Sequence, residues 1–179
     1  MKRLWLVRHA SVAVRGVCYG QSDVPTDMDA ASSARKVVEA WGPVAPPVAV
    51  WSSPFRRTES VARLVARTFG ASLHVDGRLS ELSFGEWEGR EWTEIERSSP
   101  ERFQRWMAAY STVAPPGGET MLDLRCRVAI WLAEVSASPG SALAVTHAGG
   151  IRVARAIRDG LSNEEAMATP VEHLVPEAF

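Results

Sequence analysis

The stretch LWLVRHA, residues 4–10, decides how the rest of the chain is read. Four consecutive apolar residues suit a strand covered on both faces, as in a parallel sheet flanked by helices. The run ends abruptly on Arg8 and His9, two polar side chains that need a partner or a ligand if the strand is buried. Two further runs repeat the arrangement. VAVW (48–51) leads into SSPFRR, and ALAVT (142–146) leads into His147, Ala148, Gly149 and Gly150. A shorter run, SLHV (72–75), is a fourth strand candidate. LWLV is expected to be the central strand.

Helical patterns lie between these runs. Residues 27–41 follow Thr26 as an N-cap, with Asp29 three residues later. Residues 54–69 follow Ser53, with Pro54 at the first helical position and Gly70 just past the end. Residues 118–136 form an amphipathic stretch with Leu122, Val128, Ile130, Leu132 and Val135 among its apolar positions. A helix fits 151–158, and SNEEA (162–166) reads as another with its own cap. Residues 85–110 are Trp-rich and helical, with Pro100 starting a second helix. PVAPP (43–47) and PPGG (115–118) read as loops, and VEHLVPEAF (171–179) carries no assignable pattern. Strands alternating with helices give an α/β domain with a mostly parallel sheet.

Composition narrows the function. A net charge of -1 on 179 residues argues against a broad basic surface for nucleic acid. Cys18 and Cys126 make no disulfide framework, which points to a reducing cytoplasm. Residues 1–7 have a basic start, but their apolar run is too short for a signal peptide. No later run approaches a membrane span.

Ligand sites of open α/β sheets lie beyond the carboxyl ends of the strands. Parallel strands would therefore bring Arg8, His9, Arg56, Arg57 and His147 to one edge. Guanidinium groups bind phosphate or carboxylate through paired charge-assisted hydrogen bonds, and a histidine offers a nucleophilic nitrogen. Phosphoryl transfer needs in-line positioning and charge stabilisation, which such a cluster supplies without metal. A leaving alkoxide also needs a proton. RLSELSFGEWEG (78–89) offers Glu81, Glu86 and Glu88 for that role. Glu81 lies between Leu79 and Leu82, where desolvation would keep more of it protonated.

Five motifs, VRHA (7–10), SSPFRRTES (52–60), LSELSFGEWEG (79–89), PPGGE (115–119) and VTHAGG (145–150), resemble in order those of the histidine phosphatase superfamily, which is phosphoglycerate mutase-like. The resemblance implies a three-layer αβα sandwich and a single domain over residues 1–179. It implies His9 as a nucleophile that becomes phosphohistidine, and Arg8 and Arg57 as ligands of the phosphoryl oxygens. Arg56 is then a surface neighbour. His147 would donate a hydrogen bond to the phosphoryl group, and Glu81 would be proton donor and then base for water. Ser22 matches a position that contacts phosphate or substrate. Two residues depart from the pattern. Ala10 replaces a glycine, so its turn must use negative φ or carry strain. Arg15 replaces an asparagine and is a candidate extra anion contact.

GVCYGQSDVP (16–25) is similar to the branch containing α-ribazole-5′-phosphate phosphatase, which implies hydrolysis of a small phosphate ester without cofactor or metal. A mutase with the same pocket and a non-catalytic phosphate-ester-binding module are the alternatives. Neither nucleic acid nor membrane is an expected partner, and oligomeric state is not readable. Several residues receive only architectural readings. His74 and His173 read as strand and tail residues, and Arg63, Arg67, Arg125 and Arg127 as solvated helix faces. Trp87 and Trp92 read as packing under a loop or lining the substrate mouth. Glu119 is either a favourable charge at a helix start or a substrate contact. Cys18 reads as a small hydrophobe.

Overall fold

The computed structural model describes residues 4–42 and 45–179; the basic start and part of the PVAPP loop lie outside the described residues. Five strands form one sheet: β1 (Leu4–Arg8), β2 (Ala49–Ser52), β3 (Ser72–Val75), β4 (Ala142–Thr146) and β5 (Glu177–Ala178). Their order is β3-β2-β4-β1-β5, parallel throughout except for β5, which runs antiparallel to β1. The centre is β4, buried at all five positions, rather than β1. The run LWLV matched a central strand in composition, but Trp5 and Arg8 remain partly exposed.

Seven helices occur among the described residues: α1 (Ala30–Trp41), α2 (Arg56–Phe69), α3 (Trp92–Ser98), α4 (Pro100–Ala109), α5 (Met121–Ala137), α6 (Ala148–Asp159) and α7 (Asn163–Met167). Alternation along the strands divides the core into two layers. Val7, Val50, Leu143 and Val145 pack against α1 and α2 on one face. Leu4, Leu6, Ala142 and Ala144 pack against α5 and α6 on the other. This is the expected three-layer αβα sandwich. A third cluster, Cys18, Trp87 and Ile95 with Trp92, Phe103 and Trp106 against it, forms an aromatic cap under α3 and α4.

Helix starts differ from expectation for local reasons. Thr26 Oγ1 donates to Met28 O at 2.7 Å, so it shapes a turn, and Asp29 is the N-cap of α1 through Ser32 N. Ser53 is drawn to His147 and Thr58, which delays α2 to Arg56. Gly70 closes α2 in the left-handed region as expected. The start of α5 is set by a reciprocal capping box of Thr120 and Asp123. Within α5 the buried stripe is Met121, Leu124, Val128, Trp131, Leu132 and Val135, while Leu122 and Ile130 face solvent. α6 begins at Ala148, three residues early, because Gly149 and Gly150 are helical.

Candidate active site

The register sets Arg8 beside Thr146 and Ser52 beside Val145. The carboxyl ends of β1, β4 and β2 are therefore level, and His9 N donates to Thr146 O at 3.1 Å. His9 and His147 follow these ends with ring centroids 5.0 Å apart, both buried. His9 Nδ1 lies 2.6 Å from Ala10 O. A carbonyl only accepts, so the proton is on Nδ1 and Nε2 carries the lone pair. Burial, with the Arg57 and Arg8 charges adding to it, pushes the His9 pKa down to about 3 despite the opposing bond to Ala10. The ring is neutral at pH 7, with an unprotonated nitrogen suited to attack.

Ala10 is buried and makes this turn without strain, since Leu174 is the sole non-glycine residue with positive φ among the described residues. Full burial also holds His147 well below its ordinary pKa. Its Nε2 lies 2.7 Å from Ser53 Oγ, itself 2.6 Å from Thr58 Oγ1. Thr58 Oγ1 gives its proton to Phe55 O at 2.8 Å, so Ser53 donates to Thr58 and accepts from His147 Nε2–H, which leaves the lone pair on Nδ1.

Two guanidinium groups close on this pair. Arg57 is buried, and donates from Nη1 to Ser22 O and from Nη2 to Gly20 O, each at 2.6 Å. Its plane lies over Phe55, 4.8 Å from the ring centroid, and burial lowers its pKa. Arg8 donates to Val171 O at 2.9 Å. Arg8 Nε, Arg57 Nε and His147 Nδ1 are buried with no hydrogen-bond partner in the protein. Unpaired buried donors are costly, and two guanidinium N–H groups left so beside His9 suit an anion.

Of the three candidate carboxylates, Glu81 alone reaches this edge. Its Oε1 accepts from Leu82 N at 2.9 Å and its Oε2 from Gly149 N at 3.2 Å. A methyl on Gly149 would collide with Oε1, which is why a glycine stands inside the first turn of α6. Glu88 instead staples loops, accepting from Gln21 N, Phe84 N and Ser22 Oγ, and Glu86 is exposed.

A domain model described as the histidine phosphatase superfamily (branch 1) matches residues 4–174, carrying all of these groups. The chain belongs to this family. By class it is a phosphoric monoester hydrolase. It is 29% identical over 175 residues to a Hydrogenobacter thermophilus protein provisionally named phosphoserine phosphatase 2, covering 92% of this chain and 82% of that one. It is 28% identical over 137 residues to the adenosylcobalamin/alpha-ribazole phosphatase of Salmonella typhimurium, covering 75% and 67%. Among solved structures it is similar to the alpha-ribazole phosphatase of Shigella flexneri, with a TM-score of 0.87 and 25% identity over 98% of this chain and 89% of that one.

Within this histidine phosphatase the cleft has a volume of about 250 Å³ and is lined by Arg8, Tyr19, Glu81, Phe84, Trp92 and Arg152, among others. Trp92 is thus a wall of the mouth, while Trp87 and Cys18 pack beneath. The Ser22 hydroxyl is turned to Glu88, and its carbonyl supports Arg57. Arg15 is exposed and is not part of the cleft lining, and Arg56 points to solvent.

Two residues differ from their sequence readings, and a third was not singled out in the sequence. Arg152 enters the cleft from α6, five residues beyond His147, with no local motif to flag it. His173 is no ordinary tail residue: its Nδ1 donates to His9 O at 2.5 Å, and its ring centroid lies 6.0 Å from that of His9. Arg127 is mostly buried rather than solvated, and Glu119 pairs with it at 2.9 Å. No group of three or more His, Cys, Asp or Glu among the described residues is placed to hold a metal ion. No helix among them is long and apolar enough to cross a membrane.

Proposed function

We propose that this chain hydrolyses a small phosphate monoester by a two-step, metal-independent reaction through phosphohistidine. The observation that carries the reading is the unprotonated Nε2 of His9 beside two buried guanidinium donors without acceptors, on Arg8 and Arg57. His9 Nε2 attacks phosphorus, forming an N–P bond as the ester P–O bond breaks. Arg8 and Arg57 hold the peripheral oxygens, where charge is greatest in the transition state. His147 joins them once the Ser53 and Thr58 hydroxyls turn to donate toward Nε2 and the imidazole proton sits on Nδ1. Glu81, held at the cleft between two backbone amides, gives its proton to the departing alkoxide. It then takes a proton from the water that cleaves the N–P bond, returning His9 and releasing inorganic phosphate.

For the leaving group we favour a flat, weakly polar body. Tyr19, Phe84 and Trp92 line the cleft with Met121 and Met167, a surface on which a heterocyclic base stacks. α-Ribazole 5′-phosphate carries such a base, and two of the relatives above are named for it. The reading carries with it a cytoplasmic enzyme. Brief mixing with a ³²P-labelled phosphomonoester and an alkaline quench is expected to trap acid-labile label on His9. Turnover without that label, or full activity in H9A, overturns the mechanism. Higher kcat/KM for phosphoserine or a phosphoglycerate than for α-ribazole 5′-phosphate overturns the substrate.

A further inference from the structure

Arg127 lies on α5 and was expected to face water, yet every N–H of its guanidinium is bound. Nη1 donates to Arg78 O at 2.8 Å and to Ser80 O at 2.6 Å. Nη2 donates to Glu81 O and to Glu119 Oε2, both at 2.9 Å, and Nε donates to Glu119 Oε1 at 3.0 Å. Three carbonyls from four consecutive residues thus turn inward onto one planar fork. A backbone bend of that kind leaves its carbonyls without strand or helix partners, and five fixed donors are what satisfies it. Glu119 locks the fork from the opposite side while also accepting from Ser83 N at 3.0 Å. Gln21 Nε2 reaches the same Glu81 carbonyl at 3.0 Å, and Thr146 Oγ1 holds Leu79 O at 2.8 Å from the end of β4.

We infer that Arg127 is a positioning residue for the carboxyl of Glu81, setting the loop from which that group meets the leaving oxygen. The inference rests on the proposed role of Glu81 as proton donor. Glu81 depends on its loop because its carboxyl is aimed by Leu82 N and Gly149 N, and Leu82 N moves with the loop. Arg127 is not itself among the residues that line the cleft, and it meets Glu81 only at the backbone carbonyl. Its effect therefore passes through the backbone of residues 78–81 and through Glu119. Lysine offers three donors from one point and cannot span three carbonyls and a carboxylate.

The test compares two leaving groups in R127K and R127M. p-Nitrophenolate departs with little need of a proton, whereas a simple alkoxide needs one. The ratio of kcat/KM values is read because it reports steps up to alcohol release, before water enters. For the alkyl phosphate a fall of about 10²-fold is expected, the scale of a lost general acid. For p-nitrophenyl phosphate a fall of less than about threefold is expected, and E81A should give the same pattern. Equal losses on both substrates, or no loss on either, overturn the inference. If the Arg127 variants do not fold, E119Q, which keeps the shape and weakens the lock, is put through the same comparison and judged by the same ratio. Labelling of His9 tests the reaction itself, so either proposal can fail alone.

Discussion

Arg57 and Arg127 are both buried guanidinium groups within reach of the Glu81 loop, yet they differ in how completely the protein binds them. Arg57 gives its Nη groups to two carbonyls, lies over an aromatic ring, and keeps a buried Nε with no acceptor. Arg127 has a protein acceptor for every one of its donors. The contrast separates a group held ready for an anion from one that fixes a backbone. It is invisible in composition, since both are arginines in helical segments.

The sharpest way to break the comparison is at His9, the proposed nucleophile beside the unpaired donors. H9A is expected to reduce kcat by about 10³-fold or more, on the scale of other nucleophile deletions. Steady-state phosphate release measures it. Next in size is G149A, whose methyl would displace the Glu81 carboxyl. It should cost about 10²-fold in kcat/KM for an alkyl phosphate, while circular dichroism shows the fold retained. R57K keeps the charge but loses the fork. Competitive inhibition by inorganic phosphate should weaken by about tenfold, the equivalent of one charge-assisted hydrogen bond.

A gentler probe is pH. His9 is neutral when folded, with a pKa near 3, and takes up a proton near pH 6.5 when unfolded; His147 is shifted in the same direction. The unfolded chain therefore binds protons that the folded chain refuses. Stability from these groups is complete above pH 6.5 and declines as pH falls toward 3. Thermal melts across that window should show the midpoint dropping. The smallest expected effect lies on α5. I130S, on the exposed face, should change stability by less than about 0.5 kcal/mol. L124A, on the buried face, should cost about 2–5 kcal/mol in urea unfolding.

The phase of α5 shows why some of the molecule was legible and some was not. An amphipathic helix was clear from its spacing, but assigning Leu122 and Ile130 to the core required knowing where the sheet lies. Their neighbours Leu124 and Trp131 take those places. Capping failed in the same way. Ser53 has the right chemistry for an N-cap, but its hydroxyl is claimed by His147, 94 residues away. The strand ends were read correctly because each is a local signal, an apolar run that stops on polar side chains. Parallel pairing then aligned them by register.

By itself the sequence determined the α/β architecture, the membership of His9, Arg8, Arg57, Glu81 and His147 in ordered motifs, and the loop that carries Glu81. Each is a property of a few adjacent residues. Tertiary structure alone decided that β4 and not β1 is central, and that two residues at the chain's end form β5. It also decided that His173 supports His9 across 164 residues and that Arg127 grips the Glu81 carbonyl across 46. Those contacts join segments with no pattern in common. A guanidinium or imidazole satisfies whichever carbonyl folding brings to it, and only the folded chain fixes which one that is.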